Sequence, residues 1–338
     1  MSIVQIMHHL PSGPRAEGLH CLVRSLLIQI ALVSSTCAVA SSYPTKAVRF
    51  IMPNTVGTTV DNLGRIVAAK MSESLGQQIV CDNRGGAGGI IGMQLAAKAS
   101  ADGYTLVVTS TGVQVITPQI YKKLPYDPAR DFIPISMFAL TDNILVSNPA
   151  VPSKNVADLI AIAKSKPGEL VMSNAGTGFQ SHLAGVLFTH LTGLNIRHVP
   201  YKGGASLVAV IANESQLTIA PAPSVVPHIR AGKLRALGTG GERPSPFLPD
   251  VRPISETVPG YISTGWAGLL APKGTPKDIL NKLHENLAEV LHDASTRKLL
   301  ETQGAEPWMT STEEMVRQIK ADYKRFGEAI RAANLAPQ

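Results

Sequence analysis

Two stretches rich in glycine, hydroxyl and amide side chains could do chemistry: Pro53-Asn54-Thr55-Val56-Gly57-Thr58-Thr59-Val60-Asp61 and Ser173-Asn174-Ala175-Gly176-Thr177-Gly178-Phe179-Gln180-Ser181-His182. Each follows a short apolar run of strand type and leads into a run with helical spacing. A helix start offers unpaired backbone N–H groups and the positive end of the helix dipole. Two such starts facing one another would hold a small anion with no reactive group present. The ligand-contact candidates are therefore Gly57, Thr58, Thr59 and Asp61 in the first stretch, and Gly176, Thr177, Gly178, Gln180 and Ser181 in the second. Glycines let a ligand approach the backbone closely, while the hydroxyls either touch the ligand or cap their own helix. Asp61 beside an anion is unfavourable by Coulomb's law, so its expected part is to stabilise the helix start or to hold a bridging water.

Three more polar residues join the candidates. Ser110 and Thr111 follow an apolar strand, and ligands of open α/β sheets sit at the carboxyl ends of strands. Asn143 falls where the chain is expected to cross between lobes, and serves either as a hinge or as a ligand contact. Catalysis is not expected. Ser181 and His182 are neighbours on a helix and so point in different directions, and no G-x-S-x-G elbow occurs. Gly86-Ala87-Gly88-Gly89-Ile90-Ile91-Gly92 fails the dinucleotide spacing, because Ile91 stands three after Gly88. The histidines lack metal-ligand spacing. No catalytic residue, metal or cofactor is assigned.

The elements that must position these residues alternate. Val48–Met52, Gln78–Cys81 and Tyr104–Val108 read as strands, with helices at Val60–Leu75 and Ile90–Ala99 between them. Two extended segments follow, Phe132–Leu140 and Asn143–Ser147, and then the rhythm restarts. Helices are expected at 158–164, 181–191 and 204–213, and strands at 170–173, 196–199, 216–219 and 234–237. Trp266–Ala271 is a strand, and Thr275-Pro276-Lys277-Asp278 and Ser311-Thr312-Glu313-Glu314 read as capped helix starts. The pattern predicts an α/β protein of two lobes, each a doubly wound, mainly parallel sheet with flanking helices and a cleft between the lobes. Residues 41–142 and 259–338 form a discontinuous first lobe and 143–258 the second.

The 338 residues are 44% hydrophobic, 16% charged and only 5% aromatic, with a formal charge of +7. Scattered basic residues in runs of no more than two disfavour nucleic-acid binding. Arg24, the apolar run Ser25–Val33 and Ala38-Val39-Ala40 spell a secretory signal cut after Ala40, hence a periplasmic protein. Cleavage leaves Cys81 as the lone cysteine, read as a buried, inert thiol.

The chain resembles the periplasmic solute-binding proteins of tripartite tricarboxylate transporters, the Bug family. Its marks include Asn83-Arg84-Gly85-Gly86-Ala87-Gly88-Gly89, Asp102-Gly103-Tyr104-Thr105-Leu106, Lys123-Leu124-Pro125-Tyr126-Asp127-Pro128, Ser181-His182-Leu183-Ala184-Gly185 and His198-Val199-Pro200-Tyr201-Lys202-Gly203-Gly204. The resemblance implies a monomeric two-lobed periplasmic binding protein of type II-like fold. It would close on a small organic anion, a carboxylate or related amide, and deliver it to membrane transporter subunits. Two departures bear on the ligand. Thr58 stands where the family has a second glycine, and Ala220-Pro221-Ala222-Pro223-Ser224 replaces a turn that carries an acid. Both favour an aromatic or less polar acid. The rival readings are a signalling accessory that docks on a membrane sensor, and an exported hydrolase.

Overall fold

Apolar runs too short for a helix become strands of one mixed sheet, and the amphipathic runs between them pack on its faces. A computed structural model describes residues 43–201 and 204–335. The expected signal segment lies outside the described residues. Residues 46–338 form one compact unit, distinct from residues 1–45. In chain order the elements are β1 Val48–Met52, α1 Thr59–Leu75, β2 Ile79–Asn83, α2 Ile90–Ala97, β3 Thr105–Ser110, α3 Thr117–Ile120, β4 Phe132–Ser147 and α4 Val156–Ser165. Then come β5 Val171–Asn174, α5 Gln180–Thr192, β6 Arg197–Pro200, α6 Ala205–Ile211, β7 Leu217–Pro221, α7 Ala222–Arg230 and β8 Arg235–Thr239. The chain closes with β9 Thr264–Pro272, α8 Lys277–His292, α9 Ala294–Thr302, β10 Glu306–Pro307 and α10 Thr312–Ala332. Among the described residues no helix is long and apolar enough to cross a membrane.

The sheet runs β2-β1-β3-β9-β4-β7-β5-β6, with β8 and β10 also paired to β4. Its two ends, β2-β1-β3 and β6-β5-β7, are parallel, as the alternating pattern requires. Its middle is antiparallel, through β3–β9, β9–β4 and β4–β7. The two extended segments expected at 132–140 and 143–147 are one 16-residue strand. Thr141 and Asp142 continue the ladder to β9, so no break falls between them.

Local rules explain most boundaries. Gly76 ends α1 in the left-handed region, and Ser311 with Glu314 forms a reciprocal capping box on α10. The start at Thr275 differs from expectation. Pro276 is the cap position of α8, and the Thr275 hydroxyl donates instead to Pro272 O at 2.8 Å. The proline-rich segment read as a turn after β7 opens directly into α7. Prolines at a helix start cost little, because the missing N–H has no helical partner there. One continuous apolar core runs from Ile51 and Val107 through Trp266 and Phe326 to Met172, Phe188 and Leu217. Trp266 is a core residue, as expected, and its indole N–H donates to Asp322 Oδ2 at 2.7 Å.

Three strands cross near Asn143. Its N–H donates to Ser263 O at 3.1 Å, its carbonyl accepts from Gly240 N–H at 2.8 Å, and Ser263 N–H donates to Gly240 O at 2.8 Å. A Cβ on Gly240 would stand 2.3 Å from Ser263 O and 2.7 Å from Asn143 O, both backbone atoms. Gly240→Ala is therefore expected to destabilise the protein by about 3 kcal/mol. Urea unfolding checks this, and a midpoint equal to that of the parent would contradict the crossing geometry.

Candidate functional site

Strand direction decides where the two loops meet. β1 and β3 run with β4, and β5 and β7 run against it. The carboxyl ends of the two parallel sets therefore point at one another across the middle of β4. Ser110, at the end of β3, is level with Ala139 through Ala267. The end of β5 is level with Leu145, one step beyond the Ser173–Thr218 pair. These levels are about 20 Å of strand apart. Both loops also abut the turn that follows β3. A Cβ on Gly89 would meet Val113 at 2.9 Å and Pro53 O at 3.0 Å, and one on Gly178 would meet Ile120 at 3.0 Å.

The two loops have the same backbone design. Gly57 and Gly178 sit at φ +81° and +80°, where other residues are strained. The next residues, Thr58 and Phe179, are N-caps at φ/ψ of −71°/158° and −69°/158°. Thr58 N–H donates to Thr55 O at 3.3 Å, and Phe179 N–H to Gly176 O at 3.1 Å. In each loop a side chain one helical turn on reaches back to the glycine N–H. Asp61 Oδ2 takes Gly57 N–H at 2.9 Å, and His182 Nδ1 takes Gly178 N–H at 3.2 Å.

Several candidate side chains are thus engaged within the protein. Asp61 is 1% exposed, and its carboxylate accepts from Gly57, from Asn83 Nδ2 at 2.8 Å and from Arg65 Nε at 3.1 Å. Burial pushes its pKa up, but the bonds from Asn83, Gly57 and Arg65 outweigh that and hold it below the usual value. Its bonds to Gly57 and Arg65 brace the start of α1. Thr58 Oγ1 caps α1 through Asp61 N–H at 3.4 Å. Thr111 is buried, and its hydroxyl accepts from Trp266 N–H at 2.9 Å, which ties it to β9. Ser110 Oγ faces Val113 N–H at 3.5 Å. Asn143 is buried with Nδ2 on Ser263 Oγ at 2.9 Å, at the crossing of the strands. Ser181 Oγ accepts from Ala175 N–H at 3.0 Å. Gln180 Nε2 donates to Thr264 O at 3.0 Å, bridging α5 to the start of β9.

What remains is a surplus of donors. The backbone N–H groups of Thr59, Val60, Thr177, Gln180 and Ser181 have no protein acceptor among the described residues. Two amides missing from the expected contacts add to them. Asn174 is 1% exposed and its Oδ1 takes Gly176 N–H at 3.0 Å, which fixes the orientation of the amide. Among the described residues its Nδ2 has no partner, and neither does Asn54 Nδ2 in the other loop. Both are asparagines at or just past a strand end, ahead of a glycine-bearing helix start. The N–H groups of Gly57, Gly176 and Gly178 are taken by Asp61, Asn174 and His182, while Thr59 and Thr177 carry both a backbone N–H and a hydroxyl. Such an arrangement can hold acceptor-rich anionic groups by hydrogen bonding.

Comparison with known proteins agrees. Residues 63–335 match the family described as tripartite tricarboxylate transporter family receptor. The chain is 32% identical over 314 residues to protein BugT of Bordetella pertussis, covering 90% of this chain and 96% of that protein. A solved structure of R. palustris Rpa4515 with adipate superposes with a TM-score of 0.79 at 36% identity, covering 88% of this chain and all of that one. MatC of Rhodopseudomonas palustris, with bound malate, gives 0.73 at 27% identity, covering 85% of this chain and all of that one.

Behind the second loop, His182 and His198 meet edge to face with ring centroids 6.0 Å apart. Burial lowers the pKa of His182, and burial together with His182 pushes His198 down to about 4. With folded values below unfolded ones, the unfolded chain binds more protons in this range, so stability falls as pH falls. The contribution is full above about pH 6.5 and is lost toward pH 4. The unfolding midpoint is expected to drop between about pH 6.5 and 5, above the carboxylate range, and His198→Phe to flatten that drop. An equal slope in His198→Phe would contradict the assignment.

Proposed function

The chain belongs to the tripartite tricarboxylate transporter receptor family, and on that premise we propose that it is a periplasmic protein that captures a small carboxylate-bearing solute between its lobes and delivers it to a tripartite transporter. The observation that carries the reading is the donor surplus. Two helix starts and two buried amides present N–H groups without acceptors at the facing strand ends. A buried donor left unpaired costs about 1–3 kcal/mol, so the buried amide nitrogens of Asn54 and Asn174 favour an acceptor brought in by a ligand. A carboxylate supplies several acceptor positions at once, and each charge-assisted bond contributes about 1.5–3 kcal/mol.

In this account residues 41–142 and 259–338 are one lobe and 143–258 the other, with the hinge at the Asn143 crossing. The solute first meets one loop. Closure brings the second loop's N–H groups onto the same anion, and the free energy of those added bonds shifts the lobes toward the closed form. Residues 1–40 direct export and are removed. The ligands bound by the two structural relatives, adipate and malate, support a carboxylate. The mature protein acts as a monomer, because the cleft draws on both lobes of one chain. No step requires a reaction on the solute.

Asn174→Asp separates donor from shape. The carboxylate still accepts Gly176 N–H, so the loop keeps its turn, but the unpaired donor becomes a negative acceptor. Expected is a loss of affinity of about 100-fold for adipate in titration calorimetry, with unfolding little changed. Undiminished adipate binding by Asn174→Asp would count against the site.

A further inference from the structure

The two helix starts share a backbone but not a cap. Thr58 and Phe179 occupy the same N-cap conformation. Thr58 accepts the Asp61 N–H, whereas Phe179 has no acceptor to offer, and α5 begins with no side-chain cap. An uncapped start leaves helix N–H groups unpaired. The Phe179 ring is also 59% exposed. Loss of a cap and exposure of an aromatic surface both disfavour the folded chain. The ring leans over the second loop, 3.0 Å from where a Cβ on Gly176 would lie. In the facing loop Val56 is 66% exposed, also beside the glycine of its turn. Asn174, buried at the foot of the same turn with its amide N–H group unpartnered, marks this start as a ligand position independently of the helix.

We infer that the solute is a carboxylate whose carbon body next to the carboxyl group is hydrocarbon, aliphatic or aromatic, and that Phe179 selects for it. The inference rests on the carboxylate reading of the cleft. The carboxyl group stands in for the missing cap on α5. The ring of Phe179 then covers the adjoining carbons, and Val56 closes on them from the other loop. A hydroxyl or amino group at that carbon would be taken from water against the ring without a hydrogen-bond partner.

Calorimetry of the parent and of Phe179→Ser with phenylacetate, hexanoate, adipate and malate tests this. The parent is expected to bind the three hydrocarbon acids about tenfold or more tighter than malate. Phe179→Ser should weaken all four, because its hydroxyl occupies the helix start, and weaken the hydrocarbon acids about tenfold more than malate. Without ligand, Phe179→Ser should melt about 2 °C higher, since serine restores the cap. Tighter binding of malate, or an unchanged ratio in Phe179→Ser, overturns the selection by Phe179 and leaves the carboxylate site standing. Failure of all four acids to bind removes both.

Discussion

The register of β4 is the constraint on which the rest depends. Its first part pairs with β9 and its last part with β7 and β8, in one unbroken strand. Because β1 and β3 run with it and β5 runs against it, two sets of strand ends, and the loops that follow them, are turned toward each other. Residues Ile135 to Ala139 are all buried, so both faces of the strand are covered, and a slip of one residue would send each side chain into the packing on the opposite face. The core that prevents this slip is the same core that aims the loops.

From that frame the loops need little else. Each uses a glycine with positive φ, an extended cap residue and a side chain that reaches back to the glycine N–H. Asp61 and His182 do the same work with different chemistry. The carboxylate accepts over almost the whole pH range, while the imidazole accepts only through an unprotonated Nδ1, which places its proton on Nε2. Both spend side-chain hydrogen bonding on holding backbone donors in place, and the donors that matter are left over. Preorganised in this way, they need no reorganisation when an anion arrives, which is where affinity is usually lost.

Much of this was legible in the sequence. Strand-helix alternation located nearly every element, and the glycine spacing located both loops. Period-based reading failed where tertiary context overrode it. The break expected near Leu140 does not exist, because β9 pairs straight through Thr141 and Asp142. The prolines at 221 and 223 looked like a rigid turn and instead begin α7. Within the site, several candidate side chains have partners in the protein that spacing does not show. Asp61, Thr111, Asn143 and Ser181 are polar and well placed, yet each spends its side chain on a neighbouring strand or on its own loop. Their partners lie far along the chain or across a turn, and spacing alone does not reveal them. Asn54 and Asn174 stand out through unpaired amide nitrogens next to the two loops, a combination that only the folded molecule shows.

The central claim is that one bound anion joins the two helix starts. Amide hydrogen exchange followed by mass spectrometry, with and without saturating adipate, reads it directly. The account predicts slowed exchange in the segments covering 57–61 and 176–182 together, with the flanking helices changed little. Protection confined to one of these segments, or centred elsewhere in the molecule, would contradict it.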